Sequence, residues 1–221
     1  MECTLKNGFI FNALSETIID LRNIFQIAVS ADPRYGPIYN VDVARKLGLG
    51  LLRHGYAPGS RKPIFLIGYS GGAQIAVGAA NYLHKGFGSP IYVVSVGGVL
   101  TDGPGVAHVE RVFHLNAAHD YIPLFGSVFY PGHWPLLPHS TWNQARRAGK
   151  IAVIDTGPMK HTGRGDYFDR KAKLPSGQIH ADKTTDIVSG VIADTLDGQI
   201  RESQKPDANI ASGFCFCSVI P

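Results

Sequence analysis

From residue 63 onward, short apolar runs of strand length alternate with segments whose apolar residues recur at helical spacing. Strands are predicted over residues 63–68, 91–96, 111–115 and 151–155, and helices over residues 71–84, 142–148 and 183–196. Strands that alternate with helices favour a mostly parallel sheet flanked by helices, so the predicted fold class is α/β. In such a sheet, ligands bind beyond the carboxyl ends of the strands.

The first 62 residues have a different pattern, because they carry helical spacing without strand-like runs. Helices are predicted over residues 15–28 and 41–53, on either side of a turn-rich loop at residues 32–37. We therefore divide the chain into three parts: an N-terminal helical segment (1–62), an α/β core (63–200) and a C-terminal tail (201–221).

Composition narrows the class of protein. With 221 residues, 44% hydrophobic and 17% charged, the chain is long enough and apolar enough for one globular domain. The formal charge of +4 is dispersed, so no nucleic-acid partner is expected. Nothing in the sequence resembles a secretory signal or a membrane span, and the three cysteines suggest no disulfide framework, so the sequence predicts a cytoplasmic location. Palmitoylation of Cys215 or Cys217 would allow peripheral membrane contact, which the sequence leaves open.

The common metal and cofactor motifs are absent from the sequence. The nine histidines are scattered and occur in no H-E-x-x-H pattern, and the cysteines form no C-x-x-C pair. Gly48-Leu49-Gly50 lacks the third glycine and the preceding strand of a dinucleotide-binding fingerprint. We therefore expect neither a metal nor a cofactor.

The most informative motif is Gly68-Tyr69-Ser70-Gly71-Gly72, which lies between a predicted strand and an Ala-rich predicted helix. A serine on a sharp strand-to-helix turn is raised clear of the sheet, as in the nucleophile elbow of hydrolases. Glycines at positions 68 and 72 avoid side-chain collisions across the turn. The backbone N–H of Gly71 would point to where an oxyanion forms.

An acid and a base follow in the loops after later strands. Asp120 is the only acid in the loop after the third predicted strand, and His161 is the only histidine in the loop after the fourth. Asp102, which follows the second strand, is the alternative acid, and His119 is the alternative base. A serine hydroxyl needs an imidazole to take its proton, and the imidazole needs a carboxylate to fix its tautomer.

The elbow and the order serine, acid, histidine resemble the α/β-hydrolase superfamily, and in particular its serine lipases and esterases, over residues 63–196. The resemblance implies Ser70 as nucleophile, His161 as general base and acid, and Asp120 as the group that orients the imidazole. It implies hydrolysis of a carboxylic ester, thioester or lipid acyl bond. The fold would be shortened at its N-terminus, without the His-Gly loop that often supplies a second oxyanion donor. A non-catalytic or incomplete binding module on the same fold is the alternative.

The segment between acid and base, residues 121–142, is rich in aromatic residues and prolines. It lies where hydrolases of the resembled fold carry a lid. We expect Phe125, Phe129 and Trp134 to line an apolar pocket for an acyl group, together with Tyr69 beside the nucleophile. Ordinary packing of these aromatic side chains against the sheet is the alternative.

Overall fold

A computed structural model describes residues 25–203 and 215–219. The strands in this part of the chain are β1 (Ile64–Tyr69), β2 (Ile91–Val96), β3 (Arg111–Asn116), β4 (Ile151–Asp155) and β5 (Cys215–Val219). The helices are α1 (residues 25–31), α2 (Gly36–Arg53), α3 (Gly71–Phe87), α4 (Leu124–Phe129), α5 (Thr141–Arg147) and α6 (His180–Ser203). Short 3-10 helices occur at Pro104–His108 and Pro131–His133. The five strands form one sheet in the order β4-β3-β2-β1-β5, and every neighbouring pair is parallel.

Alternate residues of the strands pack on opposite faces of the sheet, as the two-residue period of a strand requires. Ile64, Leu66 and Val93 are buried in the core that the sheet forms with α2, α3 and α5. Val94, Val96 and Leu115 are buried in a second core, which α6 covers. Because both faces are covered, residues 64–67 of β1 and 91–94 of β2 are continuous apolar runs.

The order of the strands determines where a site can form. From β1 the chain steps outward through β2 and β3 to β4, and β5 then pairs with the other side of β1. The direction of the connections therefore reverses at β1. Crevices for ligands form at such a reversal, beyond the carboxyl ends of the strands. Ser70 follows β1 directly and so lies at this position.

Most predicted elements of the core are confirmed, and three differences are informative. The helix predicted over residues 41–53 begins earlier, at Gly36, with Pro37 in its first turn. The predicted tail contains β5, which extends the sheet beside β1. Helix α4 lies between residues 116 and 141, where the sequence pattern predicts no helix or strand. Of the helix predicted over residues 15–28, residues 15–24 lie outside the described residues, and residues 25–28 are helical.

Among the helices of the described chain, none combines the length and the apolar character that a membrane span requires.

Candidate active site

Ser70 lies in a strained turn between β1 and α3. Its backbone has φ 50° and ψ −123°, a conformation that residues other than glycine rarely adopt. Such strain costs on the order of 1–3 kcal/mol. The Ser70 N–H donates a hydrogen bond to the Val96 carbonyl oxygen at 2.9 Å, which fixes the turn to β2. A Cβ at Gly68 would lie 2.5 Å from the Ala73 nitrogen, so the turn closes only with glycine there. This strand–turn–helix geometry is compatible with the predicted nucleophile elbow.

Gly68→Ala is expected to disrupt this turn. The added methyl would meet backbone atoms of Gly72 and Ala73 at 2.5–2.6 Å, which cannot move without shifting the start of α3. We expect a destabilisation of about 1–3 kcal/mol, measured by urea unfolding. Gly86→Ala in α3 is the control, because its Cβ would meet nothing within 4 Å; it should stabilise the protein slightly. Equal stability of the two variants would contradict a tightly closed turn.

Ser70, His161 and Asp120 form a continuous hydrogen-bonded chain. The Ser70 Oγ lies 2.8 Å from His161 Nε2, and His161 Nδ1 lies 2.9 Å from Asp120 Oδ2. Each residue comes from a loop that directly follows a strand: β1 for Ser70, β3 for Asp120 and β4 for His161. The structure thus brings together the three residues that the sequence singled out. With Asp120 on Nδ1, Nε2 is free to accept the serine proton.

The Asp120 carboxyl group is buried and accepts three hydrogen bonds. Its side chain has no exposed surface. Its Oδ1 accepts the Ile122 N–H at 2.9 Å, and its Oδ2 accepts the Tyr167 hydroxyl at 2.8 Å as well as the His161 ring N–H. Burial, with Asp120 as hydrogen-bond partner, raises the pKa of Tyr167, so that its hydroxyl stays protonated and donates. The carboxyl group is therefore held in one orientation.

The alternative acid and base lie elsewhere. The Asp102 side chain packs against Gly132, where a Cβ would lie 1.8 Å from Oδ2. His119 is exposed to solvent. A third histidine, His114, is buried and hydrogen-bonds Ser95 Oγ at 2.9 Å through Nδ1. Burial lowers the pKa of His114 to about 4, so it is neutral at pH 7. Only His161 of these histidines contacts Ser70.

Gly71 begins α3, so its N–H belongs to the first turn of the helix, where backbone N–H groups have no acceptor within the helix. This places a donor next to Ser70 and at the positive end of the helix dipole. A Cβ at Gly71 would lie 2.5 Å from Ile27 Cδ1, which shows that α1 packs over the turn. The geometry is compatible with the predicted oxyanion role of Gly71.

The aromatic segment between acid and base lies on the surface of the molecule. Phe125, Phe129 and Trp134 are 45%, 67% and 43% exposed, and the rings of Phe125 and Phe129 contact one another at 5.6 Å between centroids. The Asn143 amide nitrogen lies 2.8–3.0 Å from the carbonyl oxygens of Gly132, Trp134 and Leu137 and shares its two hydrogens among them, which fixes the segment to α5. The acyl-binding role of the three aromatic residues stays a prediction.

Tyr69 is placed differently from the other predicted substrate contacts. Its ring stacks on the His161 imidazole, and its hydroxyl donates to the His161 carbonyl oxygen. The Tyr69 side chain therefore contacts His161, and its predicted contact with substrate stays a prediction.

Sequence reasoning missed two residues that shape the site. Tyr167 bonds Asp120 from a loop without regular structure, and no pattern marks it. Gly97 follows β2, and a Cβ there would lie 2.7 Å from Asp120 Oδ2 and 2.8 Å from the Tyr167 ring. Gly97 and Gly98 directly follow the end of β2. A glycine pair at the carboxyl edge of the sheet is the signal that could have suggested close approach of another group.

In the part of the chain that the structure describes, no group of three or more His, Cys, Asp or Glu side chains is arranged to hold a metal ion.

Comparison with family models, with curated proteins and with solved structures found no match to this chain.

Proposed function

We propose that the protein is a serine hydrolase of the α/β-hydrolase fold that cleaves a carboxylic ester, thioester or lipid acyl bond. The observation that carries this proposal is the chain of hydrogen bonds from Ser70 through His161 to Asp120. It starts at a serine held at φ 50°, and such strain at a polar residue is typical of functional sites. The acid after β3 and the base after β4 agree with the order that the resemblance implies.

The proposed reaction has two stages. In acylation, the Ser70 Oγ attacks the carbonyl carbon while His161 Nε2 takes the hydroxyl proton, and the oxygen of the tetrahedral intermediate becomes negatively charged. The Gly71 N–H is the donor that we assign to this oxygen. His161 then gives its proton to the leaving alcohol or thiol, and the acyl group stays on Ser70. In deacylation, water attacks with the same proton transfers and releases the carboxylic acid.

Asp120 serves the reaction without touching substrate. It accepts a hydrogen bond from the Nδ1–H of His161, which selects the tautomer whose Nε2 can act as a base. It also stabilises the imidazolium that forms when His161 takes the serine proton. Because Tyr167 and the Ile122 N–H also donate to the buried carboxyl group, its orientation does not depend on solvent.

The competing proposal is a binding module, or an incomplete domain, in which these residues do not turn over substrate. It rests on the oxyanion site, because Gly71 is the one donor that we assign to it among the described residues. Removal of one such donor typically lowers a rate by about 10²–10³-fold.

Trapping of an acyl-enzyme tests the choice between the two proposals. The protein is mixed with p-nitrophenyl acetate or a matched thioester, quenched in acid and digested. The proposed hydrolase yields an acetyl group on the peptide that carries Ser70, and the Ser70→Ala variant yields none. Intact folded protein that carries no acyl group and releases no product with either substrate would favour the binding module.

Trp134→Ala tests whether the exposed aromatic segment contacts the acyl chain. If it does, KM should rise severalfold for octanoyl and longer p-nitrophenyl esters and stay near the wild-type value for acetate, because only long chains reach the indole. Leu136→Ala is the control in the same segment, since Leu136 is 85% exposed and has little contact to lose. An equal change in KM at all chain lengths would assign Trp134 to packing alone.

A further inference from the structure

Tyr69 contacts both the ring and the backbone of His161. The two ring centroids are 5.3 Å apart with planes at 22°, which is a stacked arrangement. The Tyr69 hydroxyl donates to the His161 carbonyl oxygen. Burial and the nearby carboxylates of Asp166 and Asp120 raise the pKa of Tyr69, so its hydroxyl remains a donor. The Tyr69 side chain, at the end of β1, thus fixes the position of His161, which follows β4.

The Tyr69 ring is itself held in place. It contacts Tyr167 edge-on at 6.2 Å and Phe168 edge-on at 5.3 Å between centroids. Tyr167 in turn bonds Asp120. The imidazole is therefore fixed by Asp120 at Nδ1 and by Tyr69 across its face.

His161 needs such support because of where it lies in the chain. Between β4 and α6 the chain has turns and isolated bridges but no helix or strand. A side chain on such a loop loses more freedom when it is ordered than one on a strand, and its position depends on contacts from other elements. Tyr69 provides these contacts from a strand whose next residue is Ser70, so base and nucleophile are positioned by the same element.

We propose that Tyr69 is a positioning residue that sets the place and orientation of the His161 imidazole relative to Ser70. This inference rests on the proposed function only for its kinetic consequence, since the contacts exist whatever the protein acts on. The alternative is the substrate contact that the sequence predicts for Tyr69. A misplacement of about 1 Å at a reacting group lowers a rate by about 10²-fold, which sets the scale of the effect.

Two substitutions separate the ring from the hydroxyl. Tyr69→Leu removes both the stack and the hydrogen bond, and we expect kcat for p-nitrophenyl esters to fall about 10- to 100-fold with KM unchanged at every acyl length. Tyr69→Phe keeps the stack and loses only the hydrogen bond, so its kcat should lie between the values of Tyr69→Leu and the wild-type protein. Tyr56→Phe is the matched control, because Tyr56 also donates its buried hydroxyl to a backbone carbonyl oxygen, that of Lys62, away from the site. It should leave kcat unchanged.

A wild-type kcat in Tyr69→Leu would overturn the inference. So would a KM that rises with acyl length at constant kcat, because that result assigns Tyr69 to the substrate. Melting temperatures of all three variants show whether a loss of kcat reflects unfolding. If Tyr69→Leu does not fold, the comparison is between Tyr69→Phe and Tyr56→Phe. A lower kcat in Tyr69→Phe supports the inference, and equal kcat values overturn it.

Imidazole NMR tests the inference without any substrate. In wild-type protein labelled with ¹⁵N-histidine, we expect a slowly exchanging His161 Nδ1 proton, which Tyr69→Phe retains and Tyr69→Leu loses to exchange broadening. An unchanged signal in folded Tyr69→Leu protein would overturn the positioning role. If the wild-type protein hydrolyses no ester, the proposed function fails, yet this signal still decides the role of Tyr69.

Discussion

Replacement of Ser70 by alanine is expected to lower kcat for p-nitrophenyl ester hydrolysis by a factor on the order of 10⁶. The variant has no nucleophile, so no acyl-enzyme forms and only binding and the oxyanion donor remain. His161→Ala should cause a loss of similar size, because the Ser70 hydroxyl, 2.8 Å from Nε2, then has no base. Steady-state rates over a range of substrate concentrations measure both effects.

The double variant Ser70→Ala/His161→Ala tests whether the two residues act together in one catalytic step or independently. Since serine and histidine act in one proton transfer, Ser70→Ala combined with His161→Ala should be no slower than either single variant. His119→Ala is the control histidine, because this side chain is exposed and lies beside Asp120 without joining the hydrogen-bonded chain. Losses that multiply in the double variant, or a loss in His119→Ala equal to that in His161→Ala, would contradict the assignment.

Asp120→Asn is expected to lower kcat about 10⁴-fold while KM changes little. The asparagine oxygen would accept the Ile122 N–H, as Oδ1 does now, which turns the amide nitrogen towards His161 and Tyr167. That nitrogen donates to His161 Nδ1 and moves the imidazole proton to Nε2, so the base can no longer accept a proton from Ser70. The rate and the ¹⁵N shifts of His161 measure the loss and its cause.

Asp102→Asn is the control for Asp120→Asn, since Asp102 follows the neighbouring strand and packs against Gly132 instead of His161. It should retain activity within a few-fold of the wild-type protein. A large loss in this variant and a small loss in Asp120→Asn would transfer the role of the acid to Asp102.

The sheet and the three central residues of the site could be predicted because their signals are local. Buried parallel strands are continuous apolar runs, and the loops that follow them meet at one edge of the sheet. A single acid and a single histidine in the appropriate loops were then enough to name Asp120 and His161 beside Ser70. The structure shows their distances, which no spacing in the sequence could supply.

The supporting contacts could not be predicted, because they depend on tertiary packing. Tyr69 adjoins the nucleophile in sequence, and nothing local indicates that its ring faces His161, a residue on a different loop. Tyr167 donates to Asp120 from a turn whose conformation is set by the surrounding loop. The exposure of the aromatic residues after Asp120 also depends on tertiary packing, in this case on how α4 packs. The sequence could therefore predict a pocket there but not how far these side chains are exposed.

Strand β5 shows a different difficulty. The run before the end of the chain is short and apolar, and its partner β1 lies about 150 residues earlier, so only the folded sheet reveals the pairing. Short apolar runs cannot be assigned to strand or loop by periodicity alone.

The most direct test of the central claim, that Ser70 is an activated nucleophile, is labelling with a fluorophosphonate followed by mass spectrometry of the peptide carrying Ser70. Attack by Oγ displaces fluoride and leaves a phosphonate ester on the serine, and it requires no knowledge of the substrate. We predict stoichiometric labelling of Ser70 in the wild-type protein and none in the Ser70→Ala or His161→Ala variants. A folded wild-type protein that stays unlabelled, or a label that persists in Ser70→Ala, would contradict the account.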